Sequence, residues 1–207
     1  MKTAIIFGSS GLIGNELFKT ILLNNSYDKI KVFVRSIPKV NNPKVEIIQT
    51  DFKNLEQYKD KLKGDDCYFC IGTTKKDTPE KDEYRRVEYD IPIEVAKITK
   101  ENSVNSFFYV SSIGANPNAS STYLKNKGQV EEELKNLNFS RLAIIRPSLL
   151  IGNRKSFRLG EVIFTPIMNT LTAFAFGSLK KYKPIKIENV VKAMPVSYTH
   201  LTLPTKA

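Results

Sequence analysis

Gly8-Ser9-Ser10-Gly11-Leu12-Ile13-Gly14 lies directly between an extended apolar run, Thr3 to Phe7, and a helical pattern carrying Leu12, Ile13, Leu17, Ile21 and Leu22. Glycine tolerates positive φ and carries no Cβ. The first two glycines therefore permit a tight turn and close approach of a ligand to the backbone, and the third lets the helix pack near the strand. Amides at the start of such a helix lack an intrahelical acceptor and coincide with the positive end of its dipole. This strand, turn and helix predict a site for the diphosphate of a dinucleotide, contacted by Gly8, Ser9, Ser10, Gly11, Leu12, Ile13 and Gly14. The G-x-x-G-x-x-G spacing has one residue more than the G-x-G-x-x-G fingerprint.

Outward from this turn, apolar runs alternate with helical patterns, the rhythm of βαβ units around a parallel sheet. Strands are predicted at Ile30 to Val34, Val45 to Gln49, Cys67 to Ile71, Phe107 to Val110 and Leu142 to Ile145. Helices are predicted at Leu55 to Leu62, at Glu83 to Lys100 with a kink at Pro92, and at Tyr123 to Leu137. With the opening run these make six strands, which suits two mononucleotide-binding halves. The fold class expected is α/β, a Rossmann-type doubly wound parallel sheet flanked by helices, with a small C-terminal substrate-side extension. The core is assigned to 1–152 and the extension to 153–194. Residues 195–207 read as a non-native tail, because Pro195 to Ala207 abandons the lysine- and acid-rich style before it.

The chain has 207 residues, 41% of them hydrophobic, which suits one globular core and argues against disorder of the whole. Its formal charge of +11 favours phosphate-bearing partners. The lysines are nevertheless spread along the chain without an arginine-rich arm, so no specific nucleic acid is expected. The only histidine is His200, which nearly excludes Ser-His-Asp and Cys-His catalysis and most zinc sites, and no metal is expected. Cys67 and Cys70, three apart on a strand, would face opposite sides and read as small buried hydrophobes rather than a redox pair. No disulfide framework exists, the N-terminal run is too short for a signal-peptide core, and no apolar stretch reaches membrane-spanning length. Val162 to Leu179 comes nearest, but its polar residues and Pro166 make it a buried or surface helix. A cytoplasmic protein without a transmembrane segment is expected.

Cofactor choice is read after the second strand, where Arg35-Ser36 stands in place of the acid that would bind the ribose hydroxyl of NAD. A guanidinium fork suits a 2′-phosphate, so NADP(H) is expected in preference to NAD(H). Asp51, after the third strand, either accepts from the adenine amino group or forms a turn. Ile71-Gly72-Thr73-Thr74 ends the fourth strand at the cofactor-facing edge. Tyr123 and Lys127, four apart, share one helical face. An ammonium beside a phenol favours phenolate, so such a tyrosine can exchange a proton with a carbonyl oxygen while hydride moves to or from nicotinamide. Ser111 or Ser112, after the fifth strand, can steady that oxygen, and Ser111 is slightly favoured. Arg146-Pro147 closes the sixth strand and is assigned to the cofactor or the substrate-side wall, whereas Arg154 and Arg158 read as solvated loop charges.

Together, Gly8 to Gly14, Cys70 to Thr74, Val110-Ser111-Ser112-Ile113-Gly114-Ala115, Tyr123 to Gly128, Arg146-Pro147 and Phe176-Gly177-Ser178-Leu179 resemble the short-chain dehydrogenase/reductases. The resemblance is to the atypical group similar to the Tat-interacting-protein-like oxidoreductases. It implies a Rossmann core, NADPH binding, and the serine, Tyr123 and Lys127 as catalytic positions. The expected activity is NADPH-dependent oxidation or reduction of a small alcohol or carbonyl substrate. The alternative is an NADPH-binding regulatory or redox-sensing protein, and the retention of Tyr123 and Lys127 favours the enzyme. A small-molecule substrate, and a second copy of the chain in a homodimer, are the partners considered.

Overall fold

The structure, a computed structural model, describes residues 2–148, 150–151, 185–192 and 194. Gly152, Arg154, Arg158, the stretch from Val162 to Leu179 and the tail with His200 lie outside the described residues, as does most of the predicted extension.

Six strands form one parallel sheet: β1 (Lys2–Phe7), β2 (Tyr27–Val34), β3 (Val45–Gln49), β4 (Asp66–Phe69), β5 (Ser106–Val110) and β6 (Arg141–Ile145). Their order is β3-β2-β1-β4-β5-β6, so the chain reverses its direction of travel between β1 and β4. The doubly wound fold is as the apolar rhythm indicates. In such sheets ligands bind in the crevice beyond the carboxyl ends of the strands at that reversal.

Alternation along the strands builds two cores. Ile5, Phe7, Phe33, Cys67, Phe69, Phe107 and Tyr109 face one side, where helices α3 (Ile91–Glu101) and α4 (Thr122–Asn136) cover them. Ala4, Ile6, Val32, Tyr68 and Phe108 face the other, beneath α1 (Leu12–Leu22). Cys67 and Cys70 fall in opposite clusters, as their spacing requires. Stacked rings, Phe7 on Phe33 at 4.6 Å and Tyr68 on Phe108 at 4.5 Å, tie neighbouring strands. A short parallel pair, β7 (Leu150–Ile151) with β8 (Ile185–Lys186), returns the chain to α5 (Ile187–Lys192). Ile187, Val190, Val191 and Met194 join the cluster under α1.

Two elements differ in kind from the sequence reading. Leu55 to Leu62 forms a 3₁₀ turn over Glu56–Lys61 rather than an α-helix. The long helix from Glu83 is broken: α2 (Lys81–Arg85) passes through a π turn (Arg86–Asp90) before α3 begins with Pro92 in its first positions. Pro92 has no amide hydrogen, and its ring crowds the carbonyl four residues earlier, that of Glu88. One extra residue in the turn relieves that clash, and such π bulges recur at functional sites.

Candidate active site

β1 ends at Phe7 and the chain turns at Gly8, whose φ of +83° is left-handed and suits glycine. A Cβ there would meet the Cys70 carbonyl carbon at 2.7 Å, because the exits of β1 and β4 converge at this point. The Gly11 amide closes the turn on the Gly8 carbonyl at 3.0 Å, and Gly11 itself is the N-cap of α1. The amides of Leu12, Ile13 and Gly14, first in the helix, have no intrahelical acceptor; Leu12 and Ile13 line the crevice, while Gly14 is buried behind them. This cradle fits the diphosphate of a dinucleotide: bare backbone, unpaired donors and the positive helix end coincide.

Two cavities meet over this turn. The smaller, about 200 Å³, is lined by Gly8 to Gly11, Arg35, Asp51, and Ile71 to Thr73. Arg35 is exposed at its mouth, and Asp51 also accepts from the Lys53 amide at 2.9 Å, forming a local turn. The larger, about 750 Å³, runs from Gly11, Leu12 and Ile13 past Ile71 to Thr74 to Ser111, Ser112, Tyr123 and Lys127. Both share Gly11 and the Cys70 to Thr73 edge, so they form one elongated cleft along the carboxyl ends of the strands. Thr73 and Thr74 spend their hydroxyls locally, on Thr78 at 2.8 Å and Asp77 at 2.7 Å.

Tyr123 sits half-buried in the first turn of α4, and Lys127 lies one turn on, buried. The Lys127 ammonium stands 5.9 Å from the centre of the Tyr123 ring and 4.9 Å from that of Tyr109. It donates to the Val110 carbonyl at 3.3 Å and lies 3.1 Å from the Glu88 carboxylate. Burial opposes its charge, but Tyr109, Glu88 and Tyr123 more than offset that, and its pKa rises above the ordinary lysine value. Burial pushes the hydroxyls of Tyr84 and Tyr109 up to about 12, and the Cys70 thiol likewise to about 12. The Tyr84 hydroxyl and the Cys70 thiol therefore stay protonated near neutral pH.

The two serines diverge, as neighbours on an extended chain must. Ser111 is buried and donates its hydroxyl to Glu131 in α4, while Ser112 is half-buried and its hydroxyl makes a weak 3.3 Å contact with the Ile113 carbonyl. Arg146 lines neither cavity. Its guanidinium grips the same Glu131, with Nε donating at 2.9 and 3.1 Å, and burial of that carboxylate keeps the pair together. Sequence reasoning missed Glu88 and Glu131. Each left a signal, an acid on an apolar helical stripe: Tyr84, Glu88, Ile91 and Val95 in one case, Lys127, Val130, Glu131 and Leu134 in the other, all of them buried.

Comparison with known proteins shows the family and the fold. An NAD(P)H-binding family matches residues 8–161. FMP52 of Debaryomyces hansenii, named a mitochondrial protein, is 35% identical over 196 residues, covering 92% of this chain and 84% of its own. HTATIP2 of Rattus norvegicus is 34% identical over 200 residues, covering 93% and 79%. Among solved structures, the Bordetella bronchiseptica enzyme WbmH in complex with NAD+ has a TM-score of 0.68 at 16% identity, covering 93% of this chain and 70% of its own. A UDP-N-acetylglucosamine 4-epimerase from Methanobrevibacter ruminantium M1 has a TM-score of 0.67 at 18% identity, covering 93% and 71%. At such identities these two show the fold alone. The expected cytoplasmic location is corrected: the FMP52 relatives are named mitochondrial proteins. The reasoning behind it was blind to the difference, because a lack of disulfides marks any reducing compartment.

Proposed function

This chain belongs to the NAD(P)H-binding family of FMP52 and HTATIP2, atypical short-chain dehydrogenase/reductases, and from that premise we propose an NADPH-dependent oxidoreductase of small carbonyl or alcohol substrates. The observation that carries this reading is one cleft with a glycine cradle at one end and Tyr123, Lys127 and Ser112 lining the other.

When bound, the nicotinamide cofactor supplies or accepts hydride at the substrate carbon. The amides of Leu12, Ile13 and Gly14 bind its diphosphate. Arg35, at the mouth of the smaller cavity, pairs with a 2′-phosphate. The Tyr123 hydroxyl gives its proton to the carbonyl oxygen in reduction and takes one from the alcohol in oxidation. Lys127 presents its ammonium to the phenol and holds the cleft edge. Ser112 donates to the same substrate oxygen: both serines line the cavity, but the Ser111 hydroxyl is committed to Glu131, whereas that of Ser112 makes only the weak contact with the Ile113 carbonyl. A protein that only senses cofactor needs the cradle and Arg35, but not Tyr123 and Lys127 at the far end. That contrast favours turnover. Residence in mitochondria is proposed after the FMP52 relatives, and fractionation of cells carrying the full-length protein checks it.

NADPH oxidation by the purified protein against a panel of aldehydes and ketones tests the activity; binding without turnover on the whole panel would favour the sensor. Two substitutions follow. Arg35→Ala is expected to weaken NADPH by about 10-fold or more and NADH by less than about twofold, a charge-assisted contact being worth roughly 1.5–3 kcal/mol. Equal losses in calorimetry remove Arg35 from the 2′-phosphate. Ser112→Ala should lower kcat by about 10²-fold, the usual effect of one oxyanion donor. Ser111→Ala should instead act mainly on thermal stability; the opposite pattern exchanges the two serines.

A further inference from the structure

The buried carboxylate of Glu88, beside Lys127, is the part of the cleft that the proposed chemistry leaves unexplained. The π turn carries Glu88 inward, so that its side chain is 0% exposed and that of Lys127 only 4%. One carboxylate oxygen accepts the Thr73 amide, and the other lies 3.1 Å from the lysine nitrogen. The pair sits beneath bare backbone at the exit of β4: a Cβ on Gly72 would stand 3.4 Å from the Glu88 Oε1 and 4.0 Å from the Lys127 Nζ. Glu88 shares its stripe with Tyr84, Ile91 and Val95, where an apolar side chain of similar size would satisfy packing at lower cost in desolvation. A carboxylate is found there instead, and it bridges the cleft edge to the lysine.

We infer that Glu88 is a positioning residue: its carboxylate clamps the charged Lys127 against the Gly72–Thr73 edge, and it acts on cofactor and substrate only through that lysine. The inference rests on the dinucleotide reading of the cleft. Without Glu88, the lysine keeps the Val110 carbonyl and the tyrosine faces but loses its carboxylate. The titratable groups around it are Glu88 from the π turn, Tyr84 from α2, Cys70 after β4, Tyr109 from β5 and Tyr123 on its own helix. Tyr84 and Cys70, pushed to about 12, offer no replacement anion, and Tyr109 and Tyr123 support the ammonium equally with or without Glu88. The buried ammonium of a Glu88→Gln variant should therefore shed its proton at a lower pH than in the parent.

The test is a double-mutant cycle of Glu88→Gln and Lys127→Met, read as NADPH affinity by calorimetry. It is joined by competitive acetylation of Lys127 with acetic anhydride, which only the neutral amine attacks with loss of acetate, quantified by peptide mass. Glu88→Gln is expected to weaken NADPH by about 10-fold in the parent and by less than about twofold in the Lys127→Met background, as coupled neighbours do. Acetylation of Lys127 at about pH 9 should rise about 10-fold in Glu88→Gln and stay at the parental level in Glu88→Asp, which keeps the charge. Equal weakening in both backgrounds, or unchanged acetylation, overturns the inference. If the parent protein itself binds no NADPH, the cofactor reading fails instead, and the acetylation arm alone judges Glu88. If Glu88→Gln does not fold, the double variant decides, since it leaves no buried cation unpaired. Its folding at the stability of Lys127→Met supports the clamp, and its failure to fold overturns it.

Discussion

Tyr123→Phe is expected to lower kcat for carbonyl reduction by about 10²–10⁴-fold, the usual loss on removing a positioned proton donor. NADPH affinity should change by less than about twofold, because the hydroxyl is assigned to the substrate oxygen. The substitution deletes one oxygen from a half-buried side chain in the first turn of α4 and keeps the ring that faces the Lys127 ammonium at 5.9 Å. The fold and the lysine's surroundings are therefore preserved, and the loss falls on proton transfer. Tyr84, which lines the same cavity, does not replace it: burial pushes its hydroxyl to about 12, which makes it a weak donor near neutral pH. The lysine ammonium is held by Glu88 and the Val110 carbonyl. Steady-state NADPH oxidation, with calorimetry on the same protein, measures both quantities. Parental turnover in Tyr123→Phe would place the proton donor elsewhere.

Legibility in the sequence follows from how local each signal is. β3 occupies Val45–Gln49, the bounds its apolar run gives, although it is the half-buried edge strand of the sheet. β4 ends at Phe69 rather than Ile71, since the chain must leave the sheet where it passes the Gly8 turn. The glycine cradle and the Tyr123–Lys127 pair are readable because each is complete within one turn of chain. The partners of Glu88 and Glu131 come from other elements, so their pairing waits on the fold, although acids on apolar stripes gave notice of them. The slight preference for Ser111 over Ser112 had no packing behind it for a related reason. Which face of β5 looks into the cleft depends on how α4 packs, and it is Glu131 on that helix which takes Ser111. Arg146 went to the same acid and lines neither cavity.

Gly14→Ala should produce the largest structural effect of any small substitution in the cradle. A Cβ at Gly14 would stand 2.1 Å from the Gly8 carbonyl oxygen, 2.7 Å from its carbon and 3.2 Å from the Ser9 nitrogen. All three atoms are backbone, so no flexible side chain can yield, and α1 must move away from β1. Overpacking costs about 1–3 kcal/mol where neighbours adjust, and this site belongs at or beyond the upper end. At roughly 2–4 °C per kcal/mol for a chain of this size, Tm should fall by about 6–12 °C. The same displacement carries the Leu12 and Ile13 amides off the diphosphate, so NADPH affinity should fall by about 100-fold or more, several charge-assisted bonds being lost together. Gly11→Ala separates the two roles. Gly11 has an ordinary φ of −77°, lines both cavities, and a Cβ on it would meet only the Gly8 oxygen, at 3.3 Å. Its Tm should stay within about 2 °C of the parent, as surface changes of a few tenths of a kcal/mol do, while dinucleotide affinity still falls. Circular dichroism melts and calorimetry on both variants decide the matter. A Gly14→Ala protein with parental Tm and affinity would mean that close packing of α1 on the turn is not what aims the amides.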